Sequence, residues 1–256
     1  MSELSDILYC EWLKLKRSKV TVIGFFGALF VPVFVILNQI QLSLKNPDRV
    51  IGFFELFSSM IMFLMLLFAP LVLSIFAVYL VSREYTEKTL KTVFSVPVSR
   101  TKFLVGKFLI LYIIVLLFMF LSWLDLLILT LLSSFFVNVE SAATLPTVLY
   151  LFMMLFKILC GGTLLYMTVT PVIYLSIRNK GFVAPFIVVA TVCLLNVVLS
   201  NSGVAGFIPW SASYLLITGR SGNFGCPPWV SFLIIVLICA LSVAASMKRF
   251  LNEDIL

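Results

Sequence analysis

The chain has 256 residues and a formal net charge of +7; it is 62% hydrophobic and 11% charged, with a mean hydropathy of +1.18. Soluble domains carry roughly 45–50% apolar residues, so lipid rather than water is the expected solvent for much of this surface. There is no His, and the five cysteines (Cys10, Cys160, Cys193, Cys226 and Cys239) form no Cys-x-x-Cys, which excludes imidazole ligands, His general bases and paired-thiol motifs.

Residues 1–19 are polar and charged. Leu4, Leu8, Trp12 and Leu15 recur every three or four residues, while Glu3, Asp6, Glu11, Lys14 and Arg17 take other faces. That pattern predicts a helix lying in the headgroup layer of the membrane, with Trp12 at the boundary and the cations near anionic lipid. It is not a secretory signal, because no short apolar core is followed by a small-residue cleavage site.

A spanning helix needs about 20 apolar residues to cross a hydrocarbon core roughly 30 Å thick. Six runs qualify: Val20–Ile40, Leu56–Val81, Leu104–Phe136, Thr147–Ile177, Phe182–Ser200 and Trp229–Met247. The third and fourth are longer than required, which predicts tilting, bending or protrusion. Pro32, Pro70, Pro171, Pro185 and the pair Gly161-Gly162 are expected to break or bend their spans. Residues 201–228 mix Gly, Pro and Ser with Phe207, Trp210, Tyr214 and Leu215. The stretch is too apolar for a free loop and too broken for a span, so it is expected to form a re-entrant or interfacial segment before the last helix. The expected fold is therefore all-α and polytopic, a single domain over residues 1–256 with an interfacial helix and six transmembrane helices.

Orientation follows from the cations. If both termini share one side, that side receives Lys14, Lys16, Arg17, Lys19, Arg83, Lys88, Lys91, Arg100, Lys102, Lys107, Arg178, Lys180, Lys248 and Arg249. The other side holds only Lys45, Arg49 and Arg220. The positive-inside bias then places both ends in the cytoplasm. It also explains most of the net charge, so nucleic acid is not an expected partner.

Asp125 and Lys157 are the ionisable groups deep within the runs. Each lies about ten residues, hence about 15 Å, from the outer end of its span. Because an isolated charge there is costly, the two are expected to pair with each other or across a subunit interface. Such a pair could fix helix register, line a substrate path or carry a proton.

One long polar insert interrupts this pattern: "SREYTEKTLKTVFSVPVSRTKFLVGK", Ser82 to Lys107. Glu84 and Lys88, and likewise Glu87 and Lys91, stand four apart in the favourable orientation. Leu90, Val93 and Phe94 share another face. A short amphipathic helix is predicted, ended by Pro97, with Ser99 or Thr101 capping the next span. A tight turn would suffice to join two antiparallel spans, so an exposed helix with an apolar edge points to a partner.

The insert resembles the cytoplasmic segment after the second span of ABC-2 type permeases. Its acidic residues (Glu84, Glu87), Thr89-Leu90-Lys91 core, Pro97, Ser99-Arg100 and a following Lys102 or Lys107 match that family's pattern, although Lys88 stands where the family commonly has Gly. Size and layout are most similar to the small permeases of bacitracin-resistance, lantibiotic-immunity and cytolytic-peptide export systems. The resemblance implies a bacterial cell-membrane protein whose residues 83–103 couple it to two copies of a cytoplasmic ABC ATPase, through Glu84, Tyr85, Glu87, Lys88, Leu90, Lys91, Val93, Phe94 and Pro97. It further implies a dimer with itself or a sibling permease, and an amphipathic or hydrophobic substrate such as an antimicrobial or cytolytic peptide. ATP and Mg would belong to the partner: Gly106-Lys107 is followed by Phe108 and preceded five positions earlier by Thr101, so neither the glycines nor the hydroxyl of a phosphate-binding loop are in place. The competing readings are an ion-coupled transporter using Asp125 and Lys157, and an intramembrane enzyme, which the absence of His and the single deep carboxylate disfavour.

Overall fold

The computed structural model describes residues 2–45, 52–87, 99–133, 148–224 and 226–252. All regular structure among them is helical. In chain order these are α1 (Ser2–Lys16), α2 (Lys19–Lys45), α3 (Phe53–Phe63), a π turn (Leu64–Phe68), α4 (Ala69–Thr86), α5 (Arg100–Ser133), α6 (Val148–Asn179), α7 (Val183–Leu199), α8 (Pro209–Thr218) and α9 (Pro228–Leu251). α3, the π turn and α4 form one continuous rod, Phe53–Thr86.

Among the described residues five helices are long and apolar enough to span a membrane: α2, the α3–α4 rod, α5, α6 and α9. This is a multi-pass membrane protein. The fifth of the six expected runs, α7, has 17 residues and rises about 25 Å, at the lower limit for a span. The α3–α4 rod forms the centre, with Leu64, Met65, Ala69 and Leu73 almost fully buried. α2, α5, α6 and α7 pack around it, and α9 lies against α6. The outward faces carry Phe25, Phe26, Phe156, Val198 and Leu241, all strongly exposed, as lipid-facing side chains are.

The prolines explain much of the polar chemistry between helices. A proline within a helix offers no N–H to the carbonyl four residues back, and in lipid that carbonyl must find another donor. For Pro32 the carbonyl is that of Ala28, which accepts from Ser122 Oγ of α5 at 3.0 Å. For Pro70 it is Leu66, which accepts from Asn196 Nδ2 of α7 at 3.0 Å. For Pro171 it is Met167, which accepts from Thr170 Oγ1 at 2.8 Å. Pro185 lies in the first turn of α7, where no intrahelical bond is lost; the preceding Gly181 carbonyl accepts from Ser82 Oγ of α4 at 2.9 Å. For Pro32 and Pro70 the donor comes from a different helix, so the carbonyl each proline frees is satisfied by an interhelical bond.

These bonds correct the expected breaks. α2 continues through Pro32 and α6 through Pro171. Gly161-Gly162 does not interrupt α6 either; it allows close approach. A Cβ on Gly161 would sit 3.1 Å from Met65 Cε, and one on Gly162 3.1 Å from Met119 Cγ. Pro70 sits at the start of α4, one residue beyond the π turn. The Pro70 account has a testable consequence. Asn196→Leu orphans the Leu66 carbonyl and is expected to cost about 1 kcal/mol of thermal stability in detergent. In a Pro70→Ala background, whose new N–H can take over, that cost should largely disappear. An equal cost in both backgrounds would contradict the account.

Residues 201–228 hold a 3₁₀ turn at Ala205–Phe207, α8, and a second 3₁₀ turn at Ser221–Phe224. α8 starts on Pro209 and stops at Gly219, whose φ of 71° is a conformation that glycine adopts without strain. The segment is anchored rather than free: Ser211 through Leu215 are buried, and Ser231 Oγ donates to the Gly206 carbonyl at 2.8 Å.

Candidate functional site

The α1 end of the bundle gathers the ends of α4, α5, α6 and α9. Ser99 Oγ accepts from the Lys102 amide at 3.3 Å and so caps α5, one of the two expected caps. Arg100 Nη1 donates to the Leu251 carbonyl at 3.3 Å, and the rings of Phe103 and Phe250 stack at 6.1 Å. Between α6 and α9 a cleft of about 480 Å³ is lined by Tyr174, Lys180, Lys248 and Arg249. This end is strongly basic, as the charge distribution predicts.

At its centre four charged side chains from three helices meet. Glu11 and Lys14 stand three apart on α1, hence on one face. Glu84 lies near the end of α4, and Lys107 two turns into α5. Lys14 Nζ reaches Glu11 Oε1 at 3.0 Å and Glu84 Oε1 at 2.8 Å. Lys107 Nζ reaches Glu11 Oε2 at 3.3 Å and Glu84 Oε1 at 3.4 Å, and donates to the Leu80 carbonyl at 2.6 Å. It also sits 4.7 Å from the centroid of the Phe103 ring. Glu11, Glu84 and Lys107 are each at most 3% exposed. Removing such charges from water costs several kcal/mol per ion. Two carboxylates and two ammoniums cancel, and the Leu80 carbonyl satisfies a further Lys107 proton.

Gly106 makes this closure possible. A Cβ there would fall 2.7 Å from Ile7 Cγ2, so any larger residue holds α1 off α5. Burial pushes the Lys14 ammonium toward neutrality, but Glu11 and Glu84 outweigh it and hold its pKa above the usual lysine value. A group with a raised pKa contributes its full stability below the unfolded value, about 10.4, and loses it only as pH rises through the folded value. Lys14 therefore stays charged throughout the neutral range.

A second layer flanks the cluster. Arg83 Nε pairs with Glu87 Oε2 at 3.0 Å, and Arg83 Nη1 donates to the Lys14 carbonyl at 3.4 Å. Lys180 Nζ lies 5.9 Å from the centroid of the Tyr85 ring. α1, α4, α5 and the α6–α7 turn are thus joined where the chain leaves α4 and where it re-enters at α5.

Several expectations change. Glu84, expected on an exposed helix beside Lys88, points inward to Lys14 and Lys107; Glu87, expected beside Lys91, is exposed and holds Arg83. Tyr85 is half-buried. Lys88, Leu90, Lys91, Val93, Phe94 and Pro97 lie outside the described residues. On α1, Leu15 is buried, Leu4 and Leu8 are half-buried and Trp12 is 43% exposed. Glu11, expected on a polar face, is turned into the protein. The available signals were Gly106 and the isolated Lys107 at the start of an apolar run.

Asp125 and Lys157 make no ion pair with each other among the described residues. Depth placed them in one layer, but azimuth separates them. Along α5, Phe118 approaches Gly27 and Ser122 bonds Ala28, so that face meets α2, whereas Leu116 and Met119 approach Gly162 of α6. Asp125 is seven residues from Phe118 and three from Ser122, which puts it on the α2 side. Its Oδ2 is buried without a hydrogen-bond partner. Lys157 is on α6.

The buried carboxylates Glu11 and Glu84 are committed to the ammoniums of Lys14 and Lys107, and together they join α1, α4 and α5. In this multi-helix membrane bundle α1 is tied to the helices on both sides of the polar insert. The family model for the ABC-2 family transporter protein matches residues 7–199, and the chain belongs to that family. It is also 30% identical, over 215 residues, to the bacitracin transport permease protein BCRB of Bacillus licheniformis, a match covering 82% of this chain and 97% of that one.

Proposed function

We propose that this chain is the membrane half of an ATP-driven exporter, moving an amphipathic or hydrophobic substrate such as an antimicrobial or cytolytic peptide out of the cell or its membrane. The observation that carries the reading is the buried Glu11–Lys14–Glu84–Lys107 joint. It locks α1 to the helices at both ends of residues 88–98, so a push on that segment moves α4, α5 and α1 together. Family membership supports a separate ABC ATPase as the source of the push, holding ATP and Mg and present in two copies. The relative's stated transport of bacitracin supports a peptide-like substrate.

In this reading α7 also crosses the membrane, as the fifth of six spans, residues 201–228 re-enter the membrane from outside, and both termini are cytoplasmic in a bacterial plasma membrane. The subunit works as a dimer with itself or a sibling permease. The ion-coupled alternative relies on an Asp125–Lys157 pair within the chain or across a subunit interface; the two residues make no ion pair within the chain.

The test is purification from the native host in mild detergent. An ABC ATPase is expected to co-purify and to hydrolyse ATP. A chain that elutes alone and supports ATP-independent, ion-gradient-driven uptake in vesicles would contradict the reading.

A further inference from the structure

A second cavity lies beside the charged joint, on the adjacent flank of α1. It holds about 190 Å³ and is walled by Trp12 and Leu15 of α1, Gly24 of α2, Phe76 of α4, and Leu117 of α5. Gly24 and Phe76 close its inner wall so tightly that a Cβ on Gly24 would fall 2.3 Å from Phe76 Cζ. Its lip is formed by residues on the outer surface of the bundle: Phe25 is 50%, Trp12 43% and Leu117 41% exposed. The cavity therefore opens sideways, toward lipid, just below the surface helix.

The chemistry of the walls selects the occupant. Thr21, one of two polar residues in the lining, already donates its hydroxyl to the Leu15 carbonyl at 2.6 Å. A buried water needs two to four polar partners, which this slot does not offer. A peptide segment would bury backbone N–H and C=O groups with nothing to pair them. Hydrocarbon carries no such cost. The other polar residue, Lys16, stands at the mouth, exposed and without an ion pair among the described residues, next to the exposed Arg17 and Lys19.

We infer that this slot is a binding site for one anionic phospholipid, its acyl chain between α1, α2 and α5 and its phosphate at Lys16. The inference rests on α1 lying at the membrane surface, as in the proposed function. The occupied slot braces α1 on the flank next to Glu11 and Lys14, so the lipid holds in place the helix that closes the charged joint.

The full chain, purified in mild detergent, is exposed to phosphatidylglycerol or phosphatidylcholine with matched acyl chains, and retained lipid is counted by native mass spectrometry. The expected result is preferential retention of a single phosphatidylglycerol. Lys16→Gln should reduce the preference about fivefold, the effect of one cation near a lipid headgroup. Leu117→Trp, at a position exposed enough to tolerate it, should fill the slot and abolish retention of both lipids. Leu241→Trp, on the lipid-facing surface of α9, should change nothing. Equal retention of the two lipids by the unaltered chain, or a loss with Leu241→Trp matching that with Leu117→Trp, would overturn the site. Neither outcome bears on ATPase co-purification, so the functional reading stands or falls separately.

Discussion

Lys107→Met is expected to be the most destabilising single substitution at the basic end, costing about 3–5 kcal/mol. The magnitude follows from what remains, since two carboxylates would stay buried with only Lys14 between them, and an uncompensated buried charge carries most of its desolvation penalty. Glu84→Gln should also destabilise, by stranding an ammonium. The decisive variant is the double substitution Lys107→Met with Glu84→Gln. It leaves Glu11 and Lys14 as a neutral pair, so it should be more stable than Lys107→Met alone, with a coupling energy of about 1–3 kcal/mol. Thermal unfolding in detergent, followed by size-exclusion of the heated samples, provides the readout. Additive losses would show that the cluster is not a coupled unit.

Substituting Leu90, Val93 and Phe94 together by Asp should release the ATPase while leaving the bundle intact. Their spacing puts them on one face of the predicted helix. Burying an aliphatic or aromatic side chain contributes about 1.5–3 kcal/mol. Losing the equivalent of one such anchor weakens binding by roughly 10- to 100-fold, and three introduced carboxylates add their own desolvation. The amount of ATPase that co-purifies measures the effect, and an unchanged elution profile of the permease controls for folding. Undiminished co-purification would mean that the apolar edge is not the contact.

What could be read in the sequence was set by the reach of its signals. Hydrophobic length identifies the spans, because lipid imposes about 20 apolar residues on each crossing. The polar insert announces itself by contrast, and its motif carried the family. Pairings between helices were hidden. Pro70 signals an orphaned carbonyl, but nothing local indicates that Asn196, 126 residues later, supplies the missing donor. Periodicity gave α1 its faces without saying which would meet α5, so Glu11 passed for a surface charge. Gly106, where the approach of Ile7 leaves no room for a side chain, was the clue to the correct face. Asp125 and Lys157 illustrate the same limit, since counting residues from a span's end fixes depth but not direction around the axis.

The most direct test of the account is the side of the membrane on which the insert lies. With Cys10 replaced by Ala, the variants Lys88→Cys and Lys91→Cys should resist a membrane-impermeant maleimide in intact cells and react once the membrane is opened. A motor held in the cytoplasm can drive the bundle only if those positions are inside; rapid labelling of either cysteine in sealed cells would contradict the coupling mechanism.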